Sequence, residues 1–97
     1  MTANTISGSI SLNFDTEYTA SCDGYVRGIV NNGNDKYVQI MLYFSSSGGY
    51  GTAAEVGGLS SQSIATQICS VYVRKGTKYK ILCSSTSDAT CSFFPLS

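Results

Sequence analysis

The chain has no histidine, no tryptophan, a single proline and only 12% charged residues among its 97. Without histidine it lacks the side chain that most often moves protons near neutral pH and ligates metals. Its charged share is about half the usual value for a soluble domain. Six acidic residues cancel six basic ones. A neutral chain supplies no broad basic footprint for nucleic acid, so Arg74, Lys75, Lys78 and Lys80 read as solvated cations around a turn. The longest apolar cluster, residues 40–44, is far too short to span a bilayer. No segment carries a capped helical stripe, a phosphate-binding glycine loop or an internal repeat.

What remains is a composition rich in Ser, Thr, Asn, Gly and Tyr, with ten glycines and seven tyrosines. The length fits one domain, residues 1–97, with no room for a second core. A domain of this size buries only about 60 to 65% of its unfolded surface, so disulfides, a metal or partner subunits are the usual supplements. The neutral polar surface favours the last, and suits an assembled or extracellular particle. Residues 1–5 show neither the basic start nor the apolar core of an export signal. Cys22, Cys69, Cys83 and Cys91 have no CxxC spacing, which argues against a metal site. Sequence does not choose among their pairings. With no export signal they are expected to be buried thiols, and Cys83 and Cys91 bracket a polar stretch that brings them close if their strands are adjacent.

Alternation dominates the pattern. Ile6, Gly8, Ile10 and Leu12 alternate with serines and Asn13, a half-buried strand. Residues 24–30 form a strand with Gly28 inside it, the mark of a bulge or close packing. Residues 31–35, Asn-Asn-Gly-Asn-Asp, are the strongest turn signal. In residues 36–44, Val38, Ile40, Leu42 and Phe44 make one face and Tyr37, Gln39, Met41 and Tyr43 the other. A strand apolar on both sides is central in a sandwich or covered by another subunit. Residues 45–51 read as a flexible loop carrying Tyr50. Residues 53–59 are weakly patterned. Ile64 and Ile68 fall out of phase with Cys69, Val71 and Val73, which predicts a register change or bulge near Ile68. Lys75-Gly76 turns the chain into a strand bearing Tyr79, Ile81 and Cys83 on one face. In the last strand Cys91, Phe93 and Pro95 share one side, with Phe94 and Leu96 on the other. About eight strands separated by turns predict an all-β sandwich or barrel.

The chemistry is correspondingly thin. The carboxylates are scattered in or beside turns, and nothing sets Glu17 and Glu55 across a cleft as a glycosidase pair. Cys69 and Cys83 lie in apolar strand patterns without an activating base. No catalytic residue, metal or cofactor is expected, which leaves binding or assembly. Tyrosine supplies rigid amphipathic contact area, and loops at the ends of a β-scaffold are the usual place for contacts. The ligand-contact candidates are Asn31, Asn34, Asp35, Tyr50, Ser87 and Asp88.

Residues 18–26, Tyr-Thr-Ala-Ser-Cys-Asp-Gly-Tyr-Val, resemble the Y-T-A-P-x-D-G-Y-V opening of small C-terminal domains in bacteriophage tail-fibre and receptor-binding proteins. The long strand 36–44, the Gly-rich residues 47–51, the Val-Tyr-Val-Arg-Lys-Gly of 71–76 and the terminal Phe-Phe-Pro-Leu-Ser of 93–97 follow in that family's order. The chain departs in having Ser21 at the expected proline and in its four cysteines. The resemblance implies an antiparallel jelly-roll β-sandwich like that of tumour necrosis factor and the complement globular head. It also implies a homotrimer at the tip of a phage fibre, in the virion, that contacts a host-surface saccharide or protein. A trimer interface would cover the second apolar face of residues 36–44, so Tyr37, Met41 and Tyr43 are its expected residues, with Phe94 and Leu96. The competing readings are a purely structural virion or decoration component, and a monomeric carbohydrate-binding module.

Overall fold

A computed structural model describes residues 8–31, 36–57, 66–84 and 88–96. Eight strands follow one another: β1 (Ile10–Ser11), β2 (Tyr18–Thr19), β3 (Gly24–Val30), β4 (Tyr37–Phe44), β5 (Gly49–Gly57), β6 (Gln67–Val73), β7 (Lys78–Cys83) and β8 (Ala89–Pro95). They form two antiparallel four-stranded sheets, ordered β1-β8-β3-β6 and β2-β7-β4-β5. The strands pair β1 with β8, β2 with β7, β3 with β6 and β4 with β5. A long hairpin rolled on itself produces this order, which is the jelly-roll arrangement of two Greek keys.

Period-two alternation decides what each sheet buries. Val26 and Val30 of β3, Val38 and Ile40 of β4 and Ile81 of β7 are fully buried between the sheets. Gly28, expected to mark a bulge or a close approach, marks the approach. It lies in unbroken register with Cys69 of β6 and Cys91 of β8. A Cβ at Gly28 would stand 2.5 Å from Val38 Cγ1 on the facing sheet. Cys83 is the cross-strand neighbour of Val38 in β7. The sandwich is therefore pinched at a layer of one glycine, one valine and small cysteine side chains. Cys83 and Cys91 belong to opposite sheets, and Cys22, Cys69 and Cys91 are thiols. Beyond the Ile40–Ile81 pair, Tyr79 stacks on Tyr18 with ring centroids 5.6 Å apart and on Phe93 across the sandwich at 6.1 Å.

Three expectations are corrected. No bulge occurs near Ile68: β6 keeps one register with β3 from Gln67 to Val73. Ile68 simply points outward, 54% exposed. The irregularity lies in β5, where Ala53 is the extra residue opposite the Ile40–Met41 step. The supposed loop 45–51 is a tight turn followed directly by a strand. The amides of Ser47 and Gly48 donate to the Phe44 carbonyl, and Gly48 takes the positive φ of 71° that closes the turn. Of the alternation expected over residues 6–13, the first strand among the described residues takes only Ile10–Ser11, and Ile6 and Ser7 lie outside them. Ile10 is half-exposed, although Leu12 packs on the core.

Gly28→Ala should overpack this layer and cost about 1–3 kcal/mol. Combined with Val38→Ala, which vacates the facing volume, part of that loss should return in a double-mutant cycle read from urea midpoints. Strictly additive losses would mean that the two positions do not touch. Desolvation raises the Cys91 thiol from 9.0 to about 11 and the Tyr79 hydroxyl from 10.0 to about 12. The unfolded chain ionises both groups first, so their contribution is intact below about pH 9 and declines as pH rises toward about 12. Cys91→Ala should therefore flatten the fall in stability between about pH 9 and 11. An unchanged slope would place the thiol outside the core.

Candidate functional site

With the inward positions committed to the core, contact chemistry is confined to the two outward sheet faces and the loop ends. On the β1-β8-β3-β6 sheet, register assembles three rows across β6, β3 and β8. These are Tyr72–Tyr25–Phe94, Ser70–Arg27–Ser92 and Ile68–Ile29–Thr90. Tyr25 is 39% and Tyr72 45% exposed, and their rings meet edge to face at 5.6 Å. The tyrosine pair, Phe94, Ile29 and Ile68 frame Arg27, the only charged side chain in the rows. Its guanidinium carbon lies 4.3 Å from the centre of the Phe94 ring, a cation–π contact. The Arg27 Nε is buried without a hydrogen-bond partner. Tyr25, Arg27, Ser70 and Phe94 line a trough of about 410 Å³.

The outward face of the β2-β7-β4-β5 sheet has a different character. Tyr43 and Tyr50 are cross-strand partners whose rings meet edge to face at 5.5 Å. Lys80 Nζ lies 4.5 Å from the Tyr50 ring centre and Lys78 Nζ 5.6 Å from that of Tyr43. The Tyr50 hydroxyl donates to the Glu17 carboxylate. Desolvation first, then the Glu17 hydrogen bond and charge, push that hydroxyl up to about 12. Gln39 Nε2 donates to Glu55 at 3.2 Å, and the Thr52 hydroxyl to Met41 Sδ at 3.3 Å. Most polar groups on this face already have partners.

The ligand-contact candidates do not form one site. Asn31 and Asp88 meet at one end of the sandwich, where the Asn31 amide donates to the Asp88 carbonyl at 2.7 Å. The Asp88 carboxylate is ion-paired with Lys36. Tyr50 stands at the other end of β4, beside Tyr43, roughly 20 Å from the Lys36 end at the rise of an extended strand. Asn34, Asp35 and Ser87 lie outside the described residues. The interface candidates also divide. Tyr37 and Met41, half-buried, and exposed Tyr43 lie on the outward face of one sheet, while Phe94 and Leu96 lie on that of the other. The two groups therefore lie on opposite faces of one chain.

Sequence reasoning passed over Tyr25, Arg27, Ile29, Ile68 and Tyr72. Their signal is the one applied to β4: in β3, Tyr25 and Ile29 alternate with Val26 and Val30, a strand apolar on both faces. Among the described residues no group of three or more His, Cys, Asp or Glu could hold a metal ion, and no helix is long and apolar enough to cross a membrane.

The chain is an all-β sandwich of eight antiparallel strands in two sheets, a scaffold consistent with a non-catalytic binding module. Comparisons with protein-family models, curated proteins and solved structures return no match, so its functional reading rests on its own residues and fold.

Proposed function

We propose that this chain is a non-enzymatic display domain of the phage fibre-tip kind. It self-associates as a homotrimer within the virion and presents its free surface to a host saccharide or protein. The observation that carries the reading is the apolar outward face of the β1-β8-β3-β6 sheet, with Tyr25, Ile68 and Tyr72 all exposed on it. Aromatic and aliphatic side chains set side by side on an otherwise polar, neutral molecule mark a protein contact. Burying them supplies the area that a domain of this size lacks on its own. The motif order resembling phage fibre tips supports the same reading.

The opposite face, with Lys78, Lys80, Glu17 and the Tyr43–Tyr50 pair, is charged and polar, which suits a surface that stays in water. On this face each of the two rings has a lysine against it rather than an open ring face for stacking a sugar.

Light scattering across a wide concentration range should give the mass of about three chains, and Tyr72→Glu should reduce it to one. A central aromatic of an interface is worth about 2 kcal/mol or more, roughly thirtyfold in dissociation constant. The same substitution removes the contact with Tyr25 and sets a carboxylate near Asp23, so the monomer should lose about 0.5–1.5 kcal/mol in urea unfolding yet stay folded, because Tyr72 is not in the core. A wild-type monomer at every concentration would overturn the trimer. If a trimer forms but does not bind host cells in a pull-down, a purely structural virion component becomes the better description.

A further inference from the structure

Arg27 stands in the middle of the face just assigned to self-association, and no carboxylate among the described residues forms a salt bridge with it. Among the described residues the recorded salt bridge is Lys36–Asp88, and Arg27 has only the Phe94 ring beneath it. Its Nε is already removed from water without a partner, which leaves the two Nη nitrogens as the edge still able to donate. Its cross-strand neighbours on both sides are serines, Ser70 and Ser92, whose hydroxyls donate to acceptors. Covering this face desolvates the rest of the guanidinium, and a buried cation without a counter-charge is strongly disfavoured.

We propose that the Arg27 trough is an oxyanion site that fills when copies of the chain associate. A planar or tetrahedral oxyanion, such as a carboxylate or phosphate, matches the two-donor edge of a guanidinium. The Ser70 hydroxyl, which lines the trough beside Arg27, supplies a further donor, and the Phe94 ring packs against the guanidinium. The trough is large enough for such a group, at about 410 Å³. The oxyanion comes either from a carboxylate side chain of a neighbouring copy or from a free ion in solution. In both cases it is the counter-charge that makes burial of Arg27 favourable, so assembly and occupancy are linked. The proposal rests on self-association through this face.

The test measures the trimer's dissociation constant for the wild type, Arg27→Met and Arg27→Lys, with phosphate replacing chloride at constant ionic strength. Thermal melts confirm that the variants fold. Arg27→Met should weaken the trimer at least about tenfold, as expected for a lost charge-assisted hydrogen bond, with Arg27→Lys in between. If phosphate tightens the wild type but not Arg27→Met, the oxyanion is a free ion. If phosphate has no effect while Arg27→Met still weakens assembly, it is a neighbour's carboxylate. An Arg27→Met trimer as tight as the wild type, or tighter, would overturn the site. Should the wild type prove monomeric, self-association fails by itself, and the Arg27 Nε–H resonance then decides the site under phosphate titration. Movement there retains an oxyanion site on the monomer, and none rejects it.

Discussion

The fold depends on one close approach, that of Gly28 in β3 to Val38 in β4. Sheets normally pack about 10 Å apart with side chains interdigitating between them. At this layer the chain has removed a side chain altogether, since a Cβ on Gly28 would run into Val38. The residues flanking Gly28 in its sheet are Cys69 and Cys91, and Cys83 flanks Val38 in the other. Three of the four cysteines thus share a physical role as compact apolar filler. Beyond the intervening Ile40–Ile81 pair the requirement reverses, and the stack of Tyr18, Tyr79 and Phe93 fills the space between the sheets. Small residues at one level and aromatic ones at another set how the two sheets lie on each other.

Once the inward set is committed, the outward faces follow without further choice. A slip of one residue in β3 would turn Tyr25 and Arg27 into the core and Val26 and Val30 out of it, so packing holds the register. That register is what gathers the Tyr72–Tyr25–Phe94 row and sets Arg27 between two serines. Polar groups of the other sheet are mostly spoken for by short-range partners: Glu17 by Tyr50, Glu55 by Gln39. The two faces thus differ in kind. One leaves apolar area and a cation unsatisfied, while the other has largely satisfied its own chemistry.

The alternation of β4, β7 and β8 was legible in the sequence because each is a local pattern of period two. Sheet membership was not, because the jelly-roll pairing is non-local: β1 meets β8, and β2 meets β7, across most of the chain. That is why the local pattern marks Met41 and Phe94 each as an outward apolar residue without showing that they stand on opposite faces. Ile68 misled for a related reason, since an outward isoleucine in a half-exposed strand imitates a change of phase. The Ser-Gly run before Tyr50 imitated a loop because small residues serve tight turns and strands laid against a ring alike. Gly51 shows the second use: a Cβ there would lie 3.0 Å from the Phe44 ring. Arg27 was invisible as a site, because its significance lies in having two serines and a phenylalanine from other strands around it.

The arrangement of edges also bears on how such a domain would meet a neighbour. An open sheet edge invites strand addition, and proteins blunt edges with short strands, bulges and charges. Here β1 and β2, at the outer edges of the two sheets, are two residues each. At the opposite edge of its sheet, β5 carries the bulge at Ala53 and the charge of Glu55. Of the four edges only β6 is long and regular, and its outward residues Ile68 and Tyr72 belong to the apolar face. A neighbour placed against this side of the molecule covers that edge and the adjoining face together. Edges blunted elsewhere, and apolar area kept beside the one that is not, favour closed association over open-ended strand addition.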